Sequence, residues 1–173
     1  MPGIGDPRFE RAVVLICAHD SEHAMGLAVN HPAGGLTVPD LLERLGIKAD
    51  IKAPGLVMIG GPVERERGFV LHTDDYAGEH SLEIGDGVSI TATREVLEAM
   101  ADRRRAPRRS LLALGYAGWA AGQLETEVRN NVWLICDPDE ELLFEPDHDK
   151  KWALALAKLG VGAEKLSGAS GRA

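Results

Sequence analysis

Aromatic residues and cysteines are scarce in this sequence. Phe, Tyr and Trp make up 5% of its 173 residues, and there are two cysteines, Cys17 and Cys136. Their spacing matches no zinc or redox motif, and both stand in apolar surroundings, which points to reduced, buried thiols in the cytoplasm. Nothing approaches the run of about 20 apolar residues that a membrane-spanning helix requires. The start, MPGIGDPRFERAVV, lacks the basic opening and apolar stretch of a secretory signal. Positive charge is also in deficit. Lys and Arg number 19 against 27 Asp and Glu, for a net charge of −8. That field repels phosphate backbones and disfavours nucleic acid as a partner. One local exception is the run Arg103, Arg104, Arg105, Arg108 and Arg109, which has no interleaved aromatic for base stacking.

Hydrophobic residues (45%) and charged residues (27%) stand at globular proportions, and the length suits one domain over residues 1–173. Continuous apolar, β-branched runs predict buried strands at Ala12–Cys17, Met25–Val29, Leu56–Ile59, Gly68–His72 and Leu111–Leu114. Period-two alternation around Gly85-Asp86-Gly87 predicts a hairpin of Leu82–Ile84 with Val88–Thr91. Further strands are expected around Trp133 and at Leu142–Phe144, and Ala33-Gly34-Gly35 reads as loop. Thr37 reads as the N-cap of a helix that Gly46 stops, and Thr93 as the cap of another. A last helix carries Trp152, Ala155, Leu156 and Leu159 on one face, and the tail from about residue 167 is expected to fray. No βαβ rhythm is present. Adjacent hairpins predict an α+β fold with a mostly antiparallel sheet and helices packed outside it.

The densest set of unusual residues runs from Leu114 to Leu134. A strand is expected to end there at a glycine-rich corner, Gly115 to Gly118, and a helix to run from about Trp119 to Asn130. Gln123 and Glu127 share one face of that helix, and Glu125 can pair with Arg129. Elsewhere His19-Asp20-Ser21-Glu22-His23 matches an inverted zincin pattern in letters only. That chemistry needs both histidines on one helical face, and these five residues read as a turn between strands. Neither Gly34-Gly35 nor Gly60-Gly61 belongs to a phosphate-binding fingerprint. No metal, cofactor or catalytic residue follows from these patterns.

Several motifs in order carry a resemblance to the YqgE/AlgH family of uncharacterised bacterial proteins. They are Met1-Pro2 with Asp6 and Phe9, Ala24-Met25-Gly26-Leu27 leading to Asn30 and Pro32, Gly60-Gly61-Pro62-Val63, and Gly68 to His72. Most specific are Leu114-Gly115-Tyr116-Ala117-Gly118-Trp119 and Gly122-Gln123-Leu124-Glu125, followed by Glu127, Asn131 and Trp133. The resemblance implies a strongly bent sheet closing into a partial barrel, with no established activity. Some members carry the label of transcriptional regulator, although no helix-turn-helix with a basic second helix is visible here. Family members usually carry a strand before the Met-Pro. Either the start lies upstream of Met1, or the sheet keeps an open edge, which would favour pairing with a second copy. His31 and His23 stand where the family usually has Arg and Gly.

The expected function is a cytoplasmic regulatory or partner-binding role, the partner being a protein or a small molecule. The expected binding residues are Asn30, Pro32, Gly60, Gly61, Pro62, His72, Tyr116, Trp119, Gln123 and Glu125. The alternative is a small-molecule enzyme, hydrolytic in type, with a pocket near Tyr116, Gln123 and Glu125 and with Glu125 or His72 as base.

Overall fold

The computed structural model describes residues 6–49 and 55–161, so the expected fraying of the tail and the Met1-Pro2 start lie outside the described residues. β1 (Val14–His19) and β2 (His23–Ala28) form the first hairpin. Its turn is closed by the Asp20 carboxylate, which accepts from the backbone N–H groups of Glu22 and His23 at 2.8 and 2.9 Å. The two histidines therefore end facing strands and share no helical face. Among the described residues no three metal-ligating side chains cluster.

β3 (Pro32–Thr37) pairs with β4 (Leu56–Ile59), so the stretch read as a glycine loop is an irregular strand instead. Only its two ends hold register, because Gly34 and Gly35 take positive φ between them. α1 (Val38–Arg44) starts at Thr37 with a full capping box to Asp40. β5 (Val63–Thr73) extends further back than its apolar half, Gly68–His72. β6 (Leu82–Gly85) and β7 (Val88–Thr91) turn through Asp86 and Gly87, both at positive φ, as a two-residue hairpin requires. α2 (Arg94–Met100) follows Thr93, whose side chain makes no capping bond.

β8 (Ser110–Ala120) overturns the expected corner. The strand runs straight through Gly115-Tyr116-Ala117-Gly118 and carries Trp119 within it, and α3 (Gln123–Arg129) begins only after Gly122. Alternation won over helix periodicity here because each half of β8 has a ladder partner. Its first half pairs with β5 and, in parallel, with β4, and its second half with β2. Leu142–Phe144 is likewise corrected: α4 (Glu140–Leu143) forms there, capped by the Asp139 carboxylate on Leu142 N–H. The segment holding Trp133 has the composition of a strand but no ladder partner among the described residues. α5 (His148–Lys158) is the last described helix.

The sheet order is β1-β2-β8-β5-β7-β6, bent into a nearly closed barrel. Leu15 of β1 and Ile84 of β6 line one small cavity with Pro138 and Leu143, so the seam between the two end strands is filled by α4 and the chain before it. One core lies inside the barrel around Leu27, Met58, Leu71 and Leu111. A second packs α1 and α2 on the outside through Val38, Leu42, Val96, Met100 and Leu112. Lys151 of α5 is fully buried, and its Nζ donates to the carbonyls of Val29 and Leu143 at 2.9 and 2.8 Å. Desolvation lowers that amine to about 8.

Candidate functional site

The third hydrophobic cluster builds the site. Ala24, Ala117 and Trp119 are its buried centre, and Phe9, Val14, Ile16, Leu124 and Trp133 pack around them. Trp119 and Trp133 both donate their indole N–H to Oε2 of Glu127, at 2.9 and 2.7 Å, and Gln123 Nε2 donates to Oε1 at 2.8 Å. Burial pushes the Glu127 carboxyl up, but these three bonds outweigh it and hold it below its ordinary value. Gln123 Oε1 in turn accepts from Ala120 N–H at 3.1 Å, which joins α3 to the end of β8.

The other expected binding residues separate into three settings. Asn30, Gly60, Gly61 and Tyr116 do come together, through backbone. Ala28 N–H donates to Gly60 O, Ile59 N–H to His31 O, and Gly60 N–H to Leu114 O. A Cβ on Gly61 would lie 2.1 Å from the Tyr116 carbonyl carbon, so glycine is required where this loop crosses β8. Asn30 is buried and accepts from Val13 N–H while donating to Arg11 O. Pro32 is exposed and Pro62 half-buried at the ends of this crossing. His72 lies elsewhere, buried under the edge of Tyr76. Its Nδ1 faces Thr73 O at 2.9 Å and its Nε2 faces Thr91 Oγ1 at 2.8 Å, and burial lowers its pKa. Glu125 is bonded to His19 Nε2 at 2.5 Å. Its carboxyl is held low, first by its own backbone N–H and then by His19.

Beside the tryptophan cluster the structure opens a cavity of about 430 Å³. All three tryptophans of the chain, Trp119, Trp133 and Trp152, line it. Consecutive residues Ala12 to Ile16 form one wall and consecutive residues Trp133 to Pro138 the other, with Ile84 at one side. Its volume falls in the range of small-ligand and side-chain pockets, roughly 300–1,000 Å³. At the rim Leu134 and Ile135 are 40% and 67% exposed. Arg11 places its guanidinium 5.3 Å over the Trp152 ring.

A model of the AlgH-like family matches residues 1–164. The chain belongs to the AlgH-like family. A UPF0301 protein of Caulobacter vibrioides is 63% identical over 175 residues, covering 100% of this chain and 90% of that one. A UPF0301 protein of Bradyrhizobium diazoefficiens is 50% identical over 182 residues, covering 100% and 85%. The solution structure of AlgH from Pseudomonas aeruginosa superposes with a TM-score of 0.75 at 36% identity, covering 100% of this chain and 92% of that one. The crystal structure of protein DIP2367 from Corynebacterium diphtheriae, at 16% identity and a TM-score of 0.68, shares the fold. The names of these AlgH-like relatives state no activity, and the family has no established one.

Sequence reasoning overlooked Glu127, Trp133, Trp152 and the edge of β1 as parts of one place. A signal was present: Glu127 sits four residues after Gln123, on the side of the helix that has to meet the indoles. Trp152, Ala155, Leu156 and Leu159 share one apolar face of α5 by their spacing, and all four line the cavity; only the wall that this face meets depends on tertiary packing.

Proposed function

We propose that this is a cytoplasmic binding protein of one domain, regulatory in role, whose tryptophan-lined cleft receives an apolar part of a partner. The observation that carries this reading is the convergence of all three tryptophans on one apolar cavity with an open rim. Ile135, 67% exposed at that rim, supports it, since contact with a partner would withdraw this apolar surface from water. The unpaired cysteines, Cys17 and Cys136, fit a reducing compartment. Regulation would run through protein contact, and the arginine run favours no nucleic-acid patch. Arg105 pairs with Asp102, and both Arg108 and Arg109 reach Glu140. Self-association along the side of β1 that has no ladder partner among the described residues is the weaker route, because α3, α5 and the chain from Trp133 to Pro138 stand over that edge. A hydrolytic role gains no support from geometry, because neither His72 nor Glu125 lines the cavity.

The test places a photo-crosslinking residue at Ile135 in one variant and at Leu45 of α1, also exposed, in another. Capture of a specific partner in cells from position 135 and not from 45 is the expected result. Equal capture from both, or none from 135, rejects the reading.

A further inference from the structure

His72 of β5, Thr91 of β7 and Ser81, just before β6, form a hydrogen-bonded file from the buried sheet to the surface. His72 and Thr91 are buried and Ser81 is half-buried. None of the three lines the tryptophan cleft. One fixed point sets the direction of every bond. Thr73 O can only accept, so His72 Nδ1, 2.9 Å away, carries the hydrogen. Burial lowers the pKa of the ring, and the Thr73 carbonyl and the Asp75 charge offset only part of this, so the ring is neutral at pH 7. Its Nε2 is then an acceptor, and Thr91 Oγ1 donates to it at 2.8 Å. With its own hydrogen used, Thr91 Oγ1 accepts from Ser81 Oγ at 2.7 Å. Ser81 Oγ accepts in turn from Gly78 N–H at 3.1 Å. The Ser81 hydrogen is thereby aimed inward along a path that ends on a base. One lone pair of the same oxygen keeps no partner among the described residues. A Cβ at Gly78 would stand 2.8 Å from the Tyr76 hydroxyl and 3.2 Å from Ser81 Oγ, so glycine leaves space beside that oxygen.

We propose that Ser81 is a nucleophile that takes an acyl group from a small activated acyl ester. As Oγ bonds to the acyl carbon, the ester C–O bond breaks and the leaving group departs as an oxyanion with that electron pair. The Ser81 proton passes to Thr91 Oγ1 while the Thr91 proton passes to His72 Nε2, where it rests. The imidazolium keeps both of its bonds, Nδ1–H to Thr73 O and Nε2–H to Thr91, so the transfer needs no side-chain movement. Thr91, its hydroxyl reversed, donates outward to the new ester oxygen. Hydrolysis does not follow. Esterified Ser81 has no hydrogen to hand inward, so the file is cut off from water and the acyl group stays. Glu79 and His80 beside Ser81 are exposed, so a donor reaches the oxygen from solvent and is selected by its reactivity.

The full chain is mixed with p-nitrophenyl acetate, nitrophenolate release is followed by absorbance, and the acetylated residue is located by peptide mass mapping. A single equivalent of release is expected, with the acetyl group on Ser81. Its rate should rise with pH through a value below 6.5, the ordinary value for histidine, and then stay level to pH 8. Thr91→Val interrupts the file at nearly constant volume and should slow Ser81 acetylation on the order of a hundredfold, whereas Thr91→Ser should retain it. Ser81→Ala should abolish the release, and His80→Ala should leave it intact. Acetyl groups spread over lysines with none on Ser81, a Ser81 rate still climbing at pH 8, or equal rates in Thr91→Val and wild type would each overturn the nucleophile. Release beyond one equivalent overturns the retained acyl group. If Thr91→Val unfolds, the pH profile of the wild type decides.

Discussion

The rings of Trp119 and Trp133 meet edge to face at 6.0 Å and send both indole N–H groups to one oxygen of Glu127. One residue of β8 and one of the chain after α3 are thereby fixed to the middle of the helix between them.

Glu127→Ala leaves two half-enclosed indole donors without an acceptor. The expected loss is about 2–4 kcal/mol in urea unfolding, with a red shift of tryptophan emission. Glu127→Gln keeps an acceptor oxygen and should lose less. The carboxyl is depressed in the folded chain, so its contribution is present above the ordinary value of 4.5 and disappears as pH falls through the folded value. An Ala variant as stable as wild type at pH 7 would refute the arrangement.

Gly61→Ala is expected to be far more damaging than Gly35→Ala. The added Cβ at 61 would meet Tyr116 backbone at 2.1 Å, which cannot yield as a flexible side chain does. The loss should be about 3 kcal/mol or more. At Gly35 the space is open and only the positive φ resists, for about 1 kcal/mol. Similar melting temperatures for the two variants would contradict the crossing.

Lys151 predicts a slope in alkaline stability. Below about pH 8 the folded and unfolded chains both carry the proton. Between about 8 and 10.5 the unfolded chain holds it more strongly, so stability rises with pH across that window. Compared with Lys151→Met, wild type should gain on the order of 2 kcal/mol from pH 8 to pH 10. Parallel unfolding curves across that range would show that the amine titrates normally.

The barrel was legible from sequence wherever a strand alternated or ran apolar and a turn residue closed it, as at Asp86-Gly87. The failures differ in cause. Trp119 lies in β8 because of a ladder partner distant in sequence, Ala24 of β2, which local pattern cannot register. In contrast, α4 begins at a local cap, the Asp139 carboxylate on Leu142 N–H three residues on, which a reading of Leu142–Phe144 as an apolar strand passes over. Gln123 was recognised for its polar position beside aromatics, and its contacts with Ala120 N–H and Glu127 account for that position.

β8 also sets an order of events. It pairs with β2, β4 and β5, all of which precede it, and Met25 meets Gly118 from the far end of the chain. Until Ala120 has left the ribosome, the strand that lies between the early hairpin and the β5–β7 pair is missing. Folding of this barrel is therefore a late, long-range closure, slow for its size, and a nascent chain stalled near the arginine run would expose both halves at once.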